Sequence, residues 1–158
     1  MKFLCLVYHE EEKLAALSQR QMDTLVGACI GWAEELEKSG HHILSAGLQS
    51  VRSAATVRVR NDKLSTTDGP FAETKEVLGG FTLIDAKDFD EALQIAAKFP
   101  AAQIGSMEVR PVLEPGEAVA DPLDQKIQAS ILQNASGFNP FAASKMVSLP
   151  RPDTTEEQ

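Results

Sequence analysis

Cysteine is scarce in this chain: Cys5 and Cys29 are the two in 158 residues, and they lack the short spacing of a metal knuckle or a redox pair. Both read as buried apolar residues, which excludes a disulfide scaffold. His9, His41 and His42, the three histidines, form no spaced ligand set with them, so no metal site and no cofactor are expected. Basic charge is also thin. Fifteen Lys and Arg against 23 Asp and Glu leave a formal charge of −8, and the cations are scattered. Nucleic-acid affinity comes from clustered Lys and Arg, so a nucleic-acid partner is not expected. No apolar run approaches the ~20 residues a membrane helix needs. The N-terminus has neither the basic nor the long apolar region of a secretory signal. No membrane contact is therefore expected, and the cytoplasm is the expected compartment.

What is present suits one core. With 43% hydrophobic residues in 158, the composition predicts a single domain over 1–113 and an arm over 114–158. Residues 2–8 are nearly all apolar, as in a central strand covered on both faces. A helix follows from Ser18 to Ser39, with Met22, Leu25, Val26, Cys29, Ile30, Ala33 and Leu36 at helical spacing, Ser18 as cap and Gly40 as left-handed terminator. Strands are expected over 41–48, 55–61, 63–67, 77–86 and 105–112. Asn61-Asp62 is expected to make a tight turn, and a second helix opens at Asp88 with Glu91 completing a capping box. That order predicts an α+β, ferredoxin-like split βαβ sandwich, an antiparallel sheet with two helices on one face. Its other face needs a cover, and a homodimer through that sheet face supplies one. In the arm, Glu114-Pro115-Gly116-Glu117 reads as a hinge and 121–134 as a short helix, with 140–158 as a frayed end.

Turn chemistry and charge concentrate at Thr67-Asp68-Gly69-Pro70-Phe71-Ala72-Glu73-Thr74-Lys75-Glu76, which runs into Leu78-Gly79-Gly80-Phe81. Asp68 can bond its own downstream backbone, Gly69 tolerates positive φ and Pro70 removes a donor, so a hard corner is expected. Gly79-Gly80 permits a close backbone approach.

The run TDGPFAETKEVLGGF at 67–81 resembles the DGPF group of the YCII-related proteins, and GSMEVRPV at 105–112 looks like their closing strand. Gly40-His41, Ala46-Gly47-Leu48 and Thr56-Val57-Arg58 also fit. The resemblance covers roughly 1–113 and implies a dimeric α/β barrel, with a pocket between sheet and loops, among mostly uncharacterised bacterial proteins. The wider family implies catalysis by a His/Asp pair. The first helix here has no histidine, so a helix-borne pair is not carried over.

Two functions remain in view. One is a small cofactor-independent enzyme, in which Asp68 at a strand end and a histidine, His41 or His9, move protons on a small molecule. Arg58 and Arg60, two apart on one strand, with Lys75 and Glu73, are its candidate substrate-binding residues. Each has a plainer role: Asp68 as a turn former, His41 as a helix-ending residue, His9 as a solvated strand end, and the arginines and Lys75 in ion pairs. The other function is a non-catalytic, metabolite-binding or regulatory dimer module, which needs a shaped pocket but no proton-transfer pair.

Overall fold

The computed structural model describes residues 1–114 and 118–134. They divide into two units, Met1–Val112 and Leu113–Gln158. In the first, the elements are β1 (Lys2–His9), α1 (Glu11–Ala15), α2 (Gln19–Ser39), β2 (His42–Gly47), β3 (Ala55–Arg60), β4 (Lys63–Asp68), β5 (Val77–Asp85), α3 (Phe89–Ala96) and β6 (Gly105–Pro111). The second holds α4 (Pro122–Asn134), whose first turn is capped by the Asp121 carboxylate accepting from the Leu123 amide at 2.8 Å. Pro115, Gly116 and Glu117 of the expected hinge, and the expected frayed end, lie outside the described residues.

Four strands form one antiparallel sheet in the order β2-β5-β1-β6. This is the ferredoxin-like order of a split βαβ pair, with β3 and β4 inserted between the second and third sheet strands. The insertion was expected as part of the strand series, but it pairs only with itself, from Ala55 opposite Asp68 to Arg60 opposite Lys63. Its two-residue turn places Asn61 at φ 50° and Asp62 at φ 59°, the backbone twist that a tight hairpin requires. On this hairpin Val57, Val59 and Leu64 are well exposed.

Local chemistry explains α2. The Ser18 hydroxyl accepts from the Gln21 amide while the Gln21 side chain accepts from the Ser18 amide, a reciprocal cap. At the other end Gly40 takes φ 78° and donates to Glu37, with His41 donating to Leu36. The Asp88 carboxylate caps α3 through the Glu91 amide at 2.8 Å. A helix at Glu11–Ala15 was not expected, because its charged start reads as a strand end.

Alternation along β1 and β5 sends Phe3, Cys5, Thr82 and Ile84 to the helix side. There Phe3, Cys5 and Ile84 are fully buried among Trp32, Leu36, Ala92 and Ile95. Trp32 donates to the Ile95 carbonyl at 3.3 Å and meets Phe99 edge-on at 4.9 Å. Burying side chains of this size contributes roughly 1.5–3 kcal/mol each. Among the described residues no helix is long and apolar enough to cross a membrane.

Candidate functional site

The core fills only one end of the space under the helices. The C-terminal half of α2 sits on it through Trp32 and Leu36, whereas Met22, Leu25 and Val26 in the first half stand over a cavity of about 500 Å³. Val7 and His9 of β1, Ser45 of β2 and Gly79, Gly80 and Thr82 of β5 form its floor, with Phe99 and Ile104 along one side. Most of this lining is apolar, and Val26 and Ile30 remain about half exposed at its mouth. Such a space suits a small, largely apolar ligand.

Two backbone irregularities shape the floor. The β1–β5 register shifts between Val7 and Tyr8, so Val7 faces Gly80 and Tyr8 faces Leu78, leaving Gly79 as an extra residue. The His9 ring occupies the place above it. A Cβ on Gly79 would fall inside that ring, which is the reason for glycine here. Gly105 has a parallel cause, since a Cβ there would strike the Tyr8 carbonyl oxygen. The second irregularity lies in β2, between His42 and Leu44.

His9 is half-buried, lines the cavity and makes no hydrogen bond among the described residues. Beside it stands Glu11, whose carboxylate accepts from the Val51 amide at 2.9 Å and the Ser50 hydroxyl at 3.0 Å. The Val51 amide above all, with Ser50, Arg52 and His9, holds the Glu11 carboxyl below its ordinary value. Glu10 is likewise lowered by Lys13, at 2.7 Å, and by Lys75, at 3.6 Å. Burial pushes the Cys5 thiol up to about 11 and raises Cys29, which lines the cavity as a neutral thiol.

The other expected site residues do not converge on this cavity. His41 accepts the Asp85 amide through its carbonyl, and its ring nitrogen bonds the Asp85 carbonyl at 2.8 Å. It thus sits at the far end of β5, eight residues from the Val77 that faces His9, or roughly 27 Å along the strand. An expected His41–Asp68 proton-transfer pair is therefore not assembled: β2 starts at the end of the sheet opposite the DGPF loop. Around His41 lies a smaller cleft of about 260 Å³ between α2 and α3, lined by Glu35, Glu91 and Lys98.

Asp68 ends β4, and no hydrogen bond or ion pair joins it to a histidine among the described residues. Nor does its carboxylate hold the corner. Gly69, at φ 90°, donates to the Ala54 carbonyl at 2.7 Å and accepts from the Thr56 hydroxyl at 2.8 Å, so backbone and threonine make the turn. Arg58 donates to the Phe71 carbonyl at 3.3 Å and Arg60 to the Val59 carbonyl at 2.9 Å. Lys75 pairs with Glu10, and exposed Glu73 stands on the same loop. None of these four lines the apolar cavity. Arg110 pairs with Glu108, two residues away on its own strand.

Sequence reasoning missed Glu11, Ser45 and Thr82. Glu11 was hidden in a run of three glutamates. The two hydroxyls look like ordinary strand residues. Among the described residues, no group of three His, Cys, Asp or Glu could hold a metal ion.

A family model described as the YCII-related domain matches residues 1–115. An uncharacterised protein of Rhizobium meliloti (strain 1021) is 36% identical over 121 residues, which is 74% of this chain and 98% of that protein. Among solved structures, the 5-chloro-2-hydroxyhydroquinone dehydrochlorinase from Burkholderia phenoliruptrix AC1100, in complex with 2,5-dihydroxybenzoquinone, aligns at 18% identity with a TM-score of 0.43. The alignment covers 73% of this chain and 96% of that one.

Proposed function

The chain belongs to the YCII-related family, and from that premise we propose that it is a cofactor-independent enzyme acting on a small, largely apolar molecule bound beneath α2, with His9 as the proton-transfer group. The observation that carries this reading is His9 itself. Its ring is seated on Gly79 at the cavity floor, is spared every hydrogen bond among the described residues, and lies beside a carboxylate held ionised at Glu11. A general acid or base needs open nitrogens and a fixed ring, and an adjacent negative charge supports the imidazolium formed when it takes a proton.

We further propose a homodimer through the sheet, the arrangement of a dimeric α/β barrel. Alternation turns Leu4, Leu6, Phe81 and Leu83 away from the face that carries Phe3, Cys5, Thr82 and Ile84, and Leu44 extends this apolar surface onto the edge strand. The rival reading, a non-catalytic binding module, shares the cavity but assigns His9 no chemistry.

One experiment separates them. Small apolar molecules carrying one polar group are screened for binding by ligand-observed NMR, and the hits are then followed for conversion. Replacing His9→Ala is expected to leave binding within about threefold and to lower turnover by about 100-fold or more, the usual share of general acid–base catalysis. Hits that bind but convert no faster with wild type than with the variant establish the binding module instead.

A further inference from the structure

A strand places residues three apart on opposite faces, yet His42 and Ser45 meet: the His42 Nε2 lies 2.8 Å from the Ser45 Oγ. The bulge in β2 is the cause. His42 faces Ile84, Leu44 faces Leu83 and Ser45 faces Thr82, so an extra residue, Ile43, brings His42 and Ser45 to the same side of the sheet. Ser45 lines the apolar cavity, and the other ring nitrogen of His42 lies 3.8 Å from the Glu37 carboxylate. The ring is mostly covered, with 18% of its side chain exposed.

Thr82 completes the set. It is a buried polar residue, 4% exposed, and its hydroxyl accepts a 3.0 Å hydrogen bond from the Ser45 hydroxyl. A buried hydroxyl donates rather than leave its proton unmatched. Rotation of the two hydroxyls reverses that bond, and with Thr82 then donating to Ser45 the Ser45 proton is released to His42 Nε2. A hydroxyl within hydrogen-bond reach of a base is the arrangement that activates a serine, and the Glu37 carboxylate stands within ion-pair distance of that base.

We propose that Ser45 is a nucleophile, with His42 as its general base and Glu37 as a positioning residue, acting on esters whose apolar acyl group fills the cavity. Ser45 Oγ attacks the carbonyl carbon as its proton passes to His42 Nε2. The bond to the leaving oxygen breaks, and His42 returns the proton to the departing alcohol. Water, deprotonated by His42, then cleaves the acyl-serine, giving a carboxylic acid and restoring the hydroxyl. This chemistry goes beyond the proton transfer assigned to His9 and uses none of its groups, so it stands or falls separately.

The test treats the full chain with an alkyl fluorophosphonate, in which the Ser45 oxygen forms a bond to phosphorus as fluoride leaves, and locates the adduct by mass spectrometry. Wild type is expected to carry one adduct, on Ser45. His42→Ala is expected to label about 100-fold more slowly and to recover when imidazole is added. Nitrogen-15 spectra of the His42 ring are expected to show the Nδ1–H tautomer in wild type and a tautomer mixture in Glu37→Gln, with labelling about tenfold slower. No adduct, an adduct elsewhere, or undiminished labelling of a folded His42→Ala protein overturns the proposal. The first of these outcomes needs no variant.

Discussion

At the scale of single residues, the floor of the cavity depends on what Gly79 lacks. Replacing Gly79→Ala puts a methyl where the His9 ring lies, so either the ring leaves or β5 shifts away from β1. Overpacking of this kind costs about 1–3 kcal/mol. The expected outcome is a lower melting temperature together with a displaced His9 ring signal in NMR; an unmoved His9 signal would mean that the ring does not need this space. The sequence made Gly79-Gly80 legible as a close backbone approach, but not what approaches. His9, eight residues into the first strand, reads alone as a solvated end, and its relation to Gly79 appears only once β1 and β5 pair with a shifted register. The same limit applies to Asp68. Its corner was legible from Asp-Gly-Pro, but the atoms that hold it belong to Ala54 and Thr56, fourteen and twelve residues earlier.

Elements were the most legible level, because their signals are local. Helix α2 begins after Ser18 and ends at Gly40 for reasons written in neighbouring residues, a reciprocal cap and a left-handed terminator. The short α1 was obscured by its glutamates, and the separate pairing of β3 with β4 is invisible to alternation, which marks a strand but not its sheet. Bulges are harder still. Nothing in the run His42 to Gly47 shows that one residue is extra, although that residue brings His42 to Ser45. The first half of α2 walls the cavity through Met22, Leu25 and Val26 and has no buried residue of its own, so its cap matters more than usual. Removing it with Ser18→Ala is expected to cost about 1 kcal/mol in denaturant unfolding. Faster amide hydrogen exchange is expected over 19–26 and little change near Trp32, where the core holds the helix. Uniform exchange along α2 would show that the wall is held from elsewhere.

For the whole molecule, the decisive quantity is the sheet face opposite α2 and α3. Its apolar residues come from three strands distant in sequence, β1, β2 and β5, so the pattern of each strand predicted an apolar face but not its extent. Leu4, Leu6, Phe81 and Leu83 are half-buried and Leu44 is exposed, and pairing two copies about a twofold axis removes what remains of this face from water in both at once. Leu44 tests this well, since it is exposed in the single chain and lies on an edge strand, where a charged residue is tolerated in the folded monomer. Light scattering of wild type is expected to give twice the 17.1 kDa of one chain. Leu44→Lys puts a charge into that face on each copy and is expected to give a single-chain mass with an unchanged far-UV spectrum. A variant that keeps the doubled mass would place the interface elsewhere, and a monomeric wild type would remove the barrel while leaving the His9 cavity, which one chain builds alone.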